Sequence, residues 1–170
     1  MRAFDRAVDD WVEKHRHPAL DRVFYMLSSA ADHSLLWLAI GAVRQATGRG
    51  RPGSALRLTR VLAVESALTN GPLKALFRRV RPASDPEQSG PLPYGLRRPV
   101  TSAFPSGHAT SAFSAAAFLA KGDPLGPAYH ALAAVVAASR VYVRLHHASD
   151  VLAGAALGVA FGRVARRFAP

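Results

Sequence analysis

The chain has 170 residues, of which 49% are hydrophobic and none is cysteine, and its formal net charge is +11 at pH 7. This length predicts a single domain over residues 1–170, and the lack of cysteine excludes disulfides and thiolate metal sites. The positive charge indicates an anionic partner, either nucleic acid or an acidic lipid surface. Because the arginines cluster at the ends of apolar segments, the pattern favours a membrane protein and argues against nucleic-acid binding.

The first 31 residues have the pattern of amphipathic, interfacial helices rather than that of a signal peptide. Residues 1–16 predict one helix that either packs on the bundle or lies in the headgroup layer. Residues 19–31 predict a second short helical piece after Pro18. The apolar face of the first helix is predicted to consist of Phe4, Val8, Trp11, Val12 and His15.

Residues 32–170 predict an all-α membrane bundle of about five spanning helices. A break at Asp32 is favoured over one helix across residues 23–43, because that helix would carry Asp32 and His33 at mid-depth. Glu65 is expected to face the bundle interior with a basic or hydroxyl partner, and its role is left open between structure and function. The predicted spans cover residues 35–43, 56–77, 103–121, 128–145 and 151–164.

Small residues and turn-forming residues mark two further features of the bundle. Gly154, Gly158 and Gly162 follow one another at intervals of four residues and predict a seam of close contact with another helix. Residues 82–102 are rich in proline, glycine and serine, and they are interpreted either as a lid over a site or as a linker.

Residues 139–150 place ionisable side chains between two apolar segments and are the strongest candidate for chemistry. Ionisable groups in such surroundings are costly unless they are paired or used. His146 and Asp150 are four residues apart, so the carboxylate could accept a hydrogen bond from the imidazole on a helical turn. The other ring nitrogen would then act as a base or nucleophile. The structural alternative is that Asp150 caps the next helix.

Two other polar stretches at the ends of predicted spans complete a set of three motifs. Residues 74–82 run from Lys74 to Arg81 and Pro82, and residues 105–108 read Pro-Ser-Gly-His. If neighbouring spans pack antiparallel, these stretches meet residues 139–150 on one membrane face. Their lysine, arginines, serine hydroxyl and glycine amide would then form a cradle for a phosphoryl group at a helix N-terminus.

In order and spacing, the three motifs resemble the signature of the type 2 phosphatidic acid phosphatase superfamily, also called lipid phosphate phosphatases, and in particular small bacterial membrane members. The resemblance implies an enzyme that uses neither a metal nor another cofactor and that forms a phosphohistidine. It implies that His146 is the nucleophile, that Asp150 orients it, and that His108 is the general acid and later the base. It also implies that the transition state is stabilised by Lys74, Arg81, Ser106, Gly107 and Arg140.

The chain departs from the family pattern next to the nucleophile. Arg144 stands where a small residue is common, and His147 with Ala148 stands where an aromatic-proline pair is common. Arg144 and His147 are therefore candidates to bind a second anionic group, such as a diphosphate or sugar phosphate. The alternative is that Arg144 only reaches the lipid headgroups. No metal site is predicted, because the cations around the nearby histidines disfavour zinc.

The resemblance implies a lipid phosphate substrate and a multi-pass position in a bacterial plasma membrane that contains anionic lipids. Candidate substrates are polyprenyl phosphates or diphosphates, phosphatidylglycerophosphate and phosphatidic acid. Residues 31–37 and 70–74 look like actinobacterial members, which makes decaprenylphosphoryl-5-phosphoribose of cell-wall arabinan synthesis the specific alternative. Two further alternatives are a vanadate-dependent haloperoxidase and a non-catalytic lipid-binding protein. Basic residues at both ends of the spans leave the side of the membrane unassigned, and the sequence does not indicate the oligomeric state.

Overall fold

The computed structural model describes residues 2–82 and 101–168, and every regular element within these two ranges is helical. The predicted all-α class is therefore confirmed for the described part of the chain. A 3-10 turn over Asp32–Ser34 and a π-turn over Thr69–Leu73 interrupt the helices. The helices in chain order are α1 (Arg2–Lys14), α2 (Pro18–Ala30), α3 (Leu35–Ala46), α4 (Ser54–Leu68), α5 (Lys74–Leu76), α6 (Gly107–Leu119), α7 (Gly126–Tyr142) and α8 (Ala148–Phe168).

The number of membrane spans stays a prediction. Among the described helices, α8 is long and apolar enough to cross a membrane by itself, with 21 residues and a mean hydropathy of 1.3. The pair α2 and α3 meets the same criteria when its two helices are taken together. Helices α6 and α7 have 13 and 17 residues. At 1.5 Å per residue they extend about 20 and about 26 Å, which is less than the hydrocarbon core of a typical bilayer.

Exposed apolar side chains recur along three helices that surround the core. In a water-soluble protein, large apolar surfaces usually mark a contact with another molecule. Here they recur along helices of the bundle, and this distribution fits contact with lipid. The exposed apolar side chains are Leu35 and Val43 on α3, Leu56, Val64 and Leu68 on α4, and Leu152, Leu157 and Val164 on α8.

The chain breaks at Asp32, as the sequence predicts. The axes of α2 and α3 are bent by 69° across the 3-10 turn, and Ser34 adopts a left-handed φ of 61°. The alternative of one straight helix over residues 23–43 is therefore wrong. The break moves the Asp32 carboxylate out of an apolar helix and onto the wall of a cavity.

Helix α6 lies at the centre of the bundle, and α8 packs directly on its backbone through the predicted glycine seam. A Cβ atom added at Gly158 would lie 2.3 Å from the carbonyl oxygen of Thr110. Equivalent atoms at Gly154 and Gly162 would lie 2.6 and 2.4 Å from the carbonyl oxygens of Ser106, the N-cap of α6, and Ser114. Since real Cβ atoms do not approach backbone so closely, only glycine permits this helix spacing.

Glu65 on α4 faces the bundle interior and has hydroxyl partners, as predicted. Its side chain is buried, and its carboxylate accepts hydrogen bonds from Thr69 Oγ1 at 2.8 Å and Ser111 Oγ at 2.6 Å. A buried carboxylate requires such donors. The bond to Ser111 ties α4 to α6 beside the cavity.

The packing face of α1 is only partly the one predicted, since Val12 is buried and Val8 packs against the core. Phe4 and Trp11 are 49% and 59% exposed, whereas Asp5 and Asp9 are buried against the rest of the bundle. The prediction placed the apolar residues on one face and did not consider that carboxylates could be the packing face. Asp5 and Asp9 turn inward because the Arg79 guanidinium, which follows α5, and the Ser149 hydroxyl and His147 imidazole at the start of α8 are their partners.

Candidate active site

One cavity of about 660 Å³ collects residues from all three sequence motifs. The motifs are brought to the same end of the bundle by the end of α4 and α5, the start of α6, and the connection from α7 to α8. This arrangement agrees with the antiparallel packing that the sequence predicts. The motif residues that line the cavity are Lys74, Arg81, Gly107, His108, Arg140 and His146.

His146 lies in the segment between α7 and α8, and its ring is held by a backbone carbonyl. Its Nδ1 donates to the carbonyl oxygen of Ala103 at 2.8 Å, whereas the nearest Asp150 oxygen is 3.8 Å away. The predicted hydrogen bond between His146 and Asp150 is therefore wrong, since 3.8 Å exceeds hydrogen-bonding distance. The carbonyl fixes the tautomer instead, because a carbonyl oxygen can only accept.

The second ring nitrogen of His146 is directed toward the cations of the cavity. Its Nε2 lies 3.1 Å from Arg81 Nη1, and because a guanidinium only donates, Nε2 carries the lone pair. Burial lowers the pKa of His146 well below its ordinary value, and Arg81, Arg140 and Lys74 lower it further. The imidazole is thus neutral near pH 7, with a lone pair available for attack.

Asp150 performs two tasks other than bonding to His146. Its Oδ2 accepts the backbone N–H of His147 at 2.9 Å, and its Oδ1 accepts from Arg79 Nη1 at 2.6 Å. In the first contact Asp150 caps α8, as the structural alternative predicts, but from the third position of the helix rather than as its N-cap. The second pairs the buried carboxylate with a cation. Asp150 therefore supports His146 through the backbone of the segment that carries it.

Arg79 was missed in the sequence analysis, and it connects α1 to the start of α8. Its guanidinium donates to Asp150, to Ser149 Oγ at 2.7 Å and to Asp5 Oδ2 at 2.5 Å. Ser149 also donates to Asp5 through its amide at 2.9 Å and its hydroxyl at 2.8 Å. One signal in the sequence could have indicated a polar contact of α1. Asp5 and Asp9 are four residues apart and therefore lie on one helical face.

Replacing Asp5 with asparagine should destabilise the protein, because one acceptor for Arg79 and Ser149 is lost at a buried position. Burial opposes ionisation of Asp5, but the Ser149 amide and hydroxyl and the Arg79 guanidinium more than offset it, so the pKa of Asp5 is lowered. We expect a loss of about 2 kcal/mol of unfolding free energy near neutral pH, measured by thermal unfolding in detergent.

The sign of the pKa shift also sets the pH dependence of this effect. A carboxyl with a lowered folded-state pKa stabilises the fold above its unfolded-state pKa, and the contribution is lost as pH falls through the folded-state value. The difference between the wild type and Asp5→Asn should therefore disappear in acid. Asp10→Asn, at an exposed position of the same helix, is the matched control. An equal effect of both variants would contradict the role of Asp5.

The cations of the cavity are oriented by neutral oxygen atoms. Arg81 Nη1 donates to the Leu145 carbonyl at 2.6 Å, and Arg140 Nη1 donates to the Ser28 hydroxyl. Lys74 Nζ lies 3.5 Å from Thr101 Oγ1. These acceptors are neutral, and the carboxylates of Asp150, Asp32 and Glu65 offset part of the positive charge. Such an arrangement can bind a multiply charged anion.

Besides the His108 side chain, the start of α6 offers backbone at Ser106 and Gly107. The Ser106 hydroxyl is buried and accepts from the Ala109 amide as the helix cap, so it does not line the cavity. Gly107 does line it, and a Cβ at this position would lie 3.0 Å from Asn70 Oδ1 and 3.6 Å from Lys74 Nζ. Glycine therefore leaves space for an anion between the helix N-terminus and the lysine.

Arg144 and His147 do not line the cavity, which corrects their prediction as substrate-binding residues. Arg144 has a left-handed φ of 59°, and its Nη1 donates to Glu13 Oε2 at 3.2 Å. His147 Nδ1 lies 2.9 Å from Asp9 Oδ2. Both side chains are directed to α1, where the carboxylates of Glu13 and Asp9 are their partners. The contact of Arg144 with lipid headgroups stays a prediction.

Two expectations from the sequence, the lid or linker over residues 82–102 and the lack of a metal site, do not depend on the contacts described above. The lid or linker over residues 82–102 falls almost entirely outside the described residues, since residues 83–100 are not described. Within residues 2–82 and 101–168, no group of three or more histidine, aspartate or glutamate side chains is arranged to hold a metal ion.

The chain matches a known protein family and resembles solved structures. The model of the PAP2 superfamily matches residues 54–170. The transmembrane PAP2 type phosphatidylglycerolphosphate phosphatase from Bacillus subtilis has a similar structure, with a TM-score of 0.77, 25% identity, and coverage of 98% of this chain and 85% of that chain. The LpxE protein of Aquifex aeolicus is similar in fold, with a TM-score of 0.74, 24% identity, and coverage of 95% and 93%. No curated protein sequence matches the chain.

The family match covers more than half of the chain and includes all three motifs. The similarity to the Bacillus subtilis structure extends over nearly the whole chain, including α1 to α3, which the family match does not reach. The all-helical fold is consistent with that membrane protein. The chain therefore belongs to the PAP2 superfamily, as its motifs predict, and is a phosphoric monoester hydrolase.

Proposed function

We propose that this protein is an integral-membrane lipid phosphatase that removes a terminal phosphate through a phosphohistidine on His146. The observation that carries the proposal is the position of the His146 Nε2 lone pair, which faces a cavity shared with His108 and the cations Lys74, Arg81 and Arg140. The similarity to a transmembrane phosphatidylglycerolphosphate phosphatase supports a lipid substrate. A multi-pass position in a bacterial plasma membrane is part of the same proposal.

The reaction proceeds in two displacements. In the first, His146 Nε2 attacks phosphorus, the bond from phosphorus to the ester oxygen breaks, and His108 gives a proton to the departing alcohol. In the second, water attacks the phosphohistidine, His108 takes the proton of that water, and inorganic phosphate leaves. The two steps together consume one water molecule and restore both imidazoles.

Charge compensation supplies most of the rate acceleration in this scheme. The phosphoryl oxygens carry negative charge in the five-coordinate transition state, and Lys74, Arg81, Arg140 and the amides at the start of α6 surround them. These groups are held in position before the substrate binds, so little reorganisation accompanies the reaction. Ser106 and Asp150 contribute indirectly, the first as the cap of α6 and the second through Arg79 and the start of α8.

The walls of the cavity support a substrate with an apolar chain and a polar group beside the phosphate. Leu38, Leu62 and Ala63 line the cavity between α3 and α4, where a lipid chain could enter from the bilayer. Ser34, Ser66, Asn70 and Ser111 add hydroxyl and amide groups between these residues and the cations. Phosphatidylglycerophosphate, phosphatidic acid and polyprenyl phosphates or diphosphates are the substrate classes within this proposal.

The polar part of the wall favours a second, more specific candidate. Decaprenylphosphoryl-5-phosphoribose carries sugar hydroxyls next to its terminal phosphate, and the serine and asparagine side chains of the wall can hydrogen-bond to such groups. A bare polyprenyl phosphate would leave these side chains without a ligand partner. We therefore include the phosphorylated sugar lipid as the candidate that the hydroxyl and amide lining favours.

Phosphate release from a panel of lipids by the purified protein in detergent micelles tests the proposal. The panel contains phosphatidic acid, phosphatidylglycerophosphate, a polyprenyl phosphate, a polyprenyl diphosphate and a prenylphosphoryl-5-phosphoribose. We expect release from at least one of them, together with a phosphoenzyme that is labile in acid and stable in alkali, as a phosphohistidine is. Bound vanadate with halide oxidation and no phosphate release would instead identify a haloperoxidase. Lipid binding without turnover would identify a non-catalytic protein.

A further inference from the structure

Asp32 and His108 form a contact between two parts of the chain that are 76 residues apart. His108 Nε2 lies 2.6 Å from Asp32 Oδ1, and both residues line the cavity. Asp32 belongs to the 3-10 turn that separates α2 from α3, and His108 belongs to the first turn of α6. None of the three sequence motifs contains Asp32.

The local fold directs this carboxylate to the cavity. The 69° bend between α2 and α3, together with the left-handed φ of Ser34, turns the chain where Asp32 is located. About a third of the Asp32 side chain is exposed, at 33%, whereas that of His108 is 19% exposed. The pair therefore lies at the wall of the cavity and can be reached by a bound substrate.

The two imidazoles of the cavity have partners of different charge. His146 bonds through Nδ1 to a neutral carbonyl, which leaves the ring uncharged and its Nε2 lone pair available. His108 bonds through Nε2 to a carboxylate, which stabilises a proton on the ring. Groups of the same type that have different surroundings commonly take opposite roles in acid–base catalysis.

The charged and titratable groups around His108 come from four elements. Lys74 of α5, Arg140 of α7 and His146 of the following segment also line the cavity, and the first two oppose a further positive charge on His108. Asp32, on the 3-10 turn, is the group of opposite sign. A protonated His108 therefore depends on Asp32 to offset the repulsion from the lysine and the arginine.

We propose that Asp32 is a positioning residue for the acid step, holding His108 by its Nε2–H so that the ring delivers its other proton, on Nδ1, to the departing alcohol. This inference rests on the proposed function of the cavity. In the second displacement, Nδ1 takes the proton of the attacking water, and Asp32 stabilises the imidazolium that results. Asp32 itself forms and breaks no covalent bond.

The test compares Asp32→Asn with the wild type on two substrates that differ in their need for a proton. Both are single-chain phosphates of equal length, one an ester of a primary alcohol and the other an ester of a nitrophenol. An alkoxide is a poor leaving group without protonation, whereas a nitrophenolate leaves without it. The measured quantity is kcat/KM, which reports the steps up to the first departure of the leaving group.

We expect Asp32→Asn to lower kcat/KM for the alkyl ester by about 10²-fold, because general acid catalysis contributes on this scale. The kcat/KM for the aryl ester should change much less. Asp32→Glu should recover part of the activity on the alkyl ester, because it restores a carboxylate. Thermal unfolding of each variant accompanies the rates. If Asp32 had only a structural role, its replacement would lower kcat/KM equally for both substrates.

Two results would overturn the inference while leaving the proposed function intact. One is an equal loss of kcat/KM on the alkyl and aryl esters, and the other is a wild-type rate on both. If the wild type has no activity on either ester or on the lipid panel, the proposed function and the inference are both overturned. The outcomes are therefore distinguishable in one set of measurements.

Discussion

Replacing His146 with alanine should lower phosphate release by at least about 10³-fold, because the attacking atom of the proposed mechanism is removed. His146 is 2% exposed, its Nδ1 is fixed by Ala103, and its Nε2 lies 3.1 Å from Arg81 Nη1. Among the described residues that line the cavity, the other imidazole is that of His108, and its partner is the carboxylate of Asp32. The variant should also fail to form the acid-labile phosphoenzyme.

The control for this variant is His130→Ala. His130 lies on α7, its Nδ1 contacts the Gly126 carbonyl at 2.9 Å, and it does not line the cavity. The His130→Ala variant should retain wild-type phosphate release. Both variants should unfold in detergent near the wild-type temperature. An active His146→Ala protein, or one that still forms the phosphoenzyme, would refute the assignment of the nucleophile. An inactive but unfolded protein is recognised by its thermal transition, and His146→Gln then repeats the test with a side chain closer in size.

Replacing Gly158 with alanine should destabilise the bundle, because the added methyl group meets backbone that cannot move aside. The new Cβ would lie 2.3 Å from the Thr110 carbonyl oxygen and 2.9 Å from Phe113 Cβ. Helix α8 must then shift away from α6, and overpacking of this kind costs about 1–3 kcal/mol of unfolding free energy. The higher helix propensity of alanine recovers about 1 kcal/mol at most. The measured quantity is the unfolding temperature in detergent.

Activity should fall with stability in this variant, although Gly158 does not line the cavity. Helix α6 carries His108 in its first turn and α8 carries Asp150, so a change in the spacing of the two helices moves both ends of the site. Gly71→Ala is the matched control, because a Cβ there meets nothing within 4 Å. If Gly158→Ala and Gly71→Ala unfold at the same temperature, close contact along the glycine seam does not stabilise the fold.

The features that the sequence predicted correctly depend on residues near one another in the chain or on fixed spacing. The break at Asp32 follows from a charged residue among apolar ones, and the interior position of Glu65 follows from the cost of a carboxylate in lipid. The glycine seam follows from the repeat of four residues along α8. The three motifs indicate the family because their order and spacing are visible without the fold.

The errors and omissions concern contacts between residues that are distant in the chain. The spacing of His146 and Asp150 suggested a hydrogen bond, but Ala103, 43 residues away, occupies the Nδ1 position. The apolar stripe of α1 indicated its packing face only in part, because Val12 is buried but the carboxylates Asp5 and Asp9 face the bundle as well. Arg144 and His147 were assigned to the substrate because their partners on α1 were not known.

The amino-acid sequence alone therefore determined the helical class, the family and the motif residues that line the cavity. Local spacing limits which side chains share a helical face, and burial of charge limits where helices can run. Only the tertiary structure decided which acceptor each charged side chain meets, including Arg79 with Asp150 and Asp32 with His108. Those pairings depend on the relative positions of helices that are far apart in the chain, and helical periodicity carries no information about them.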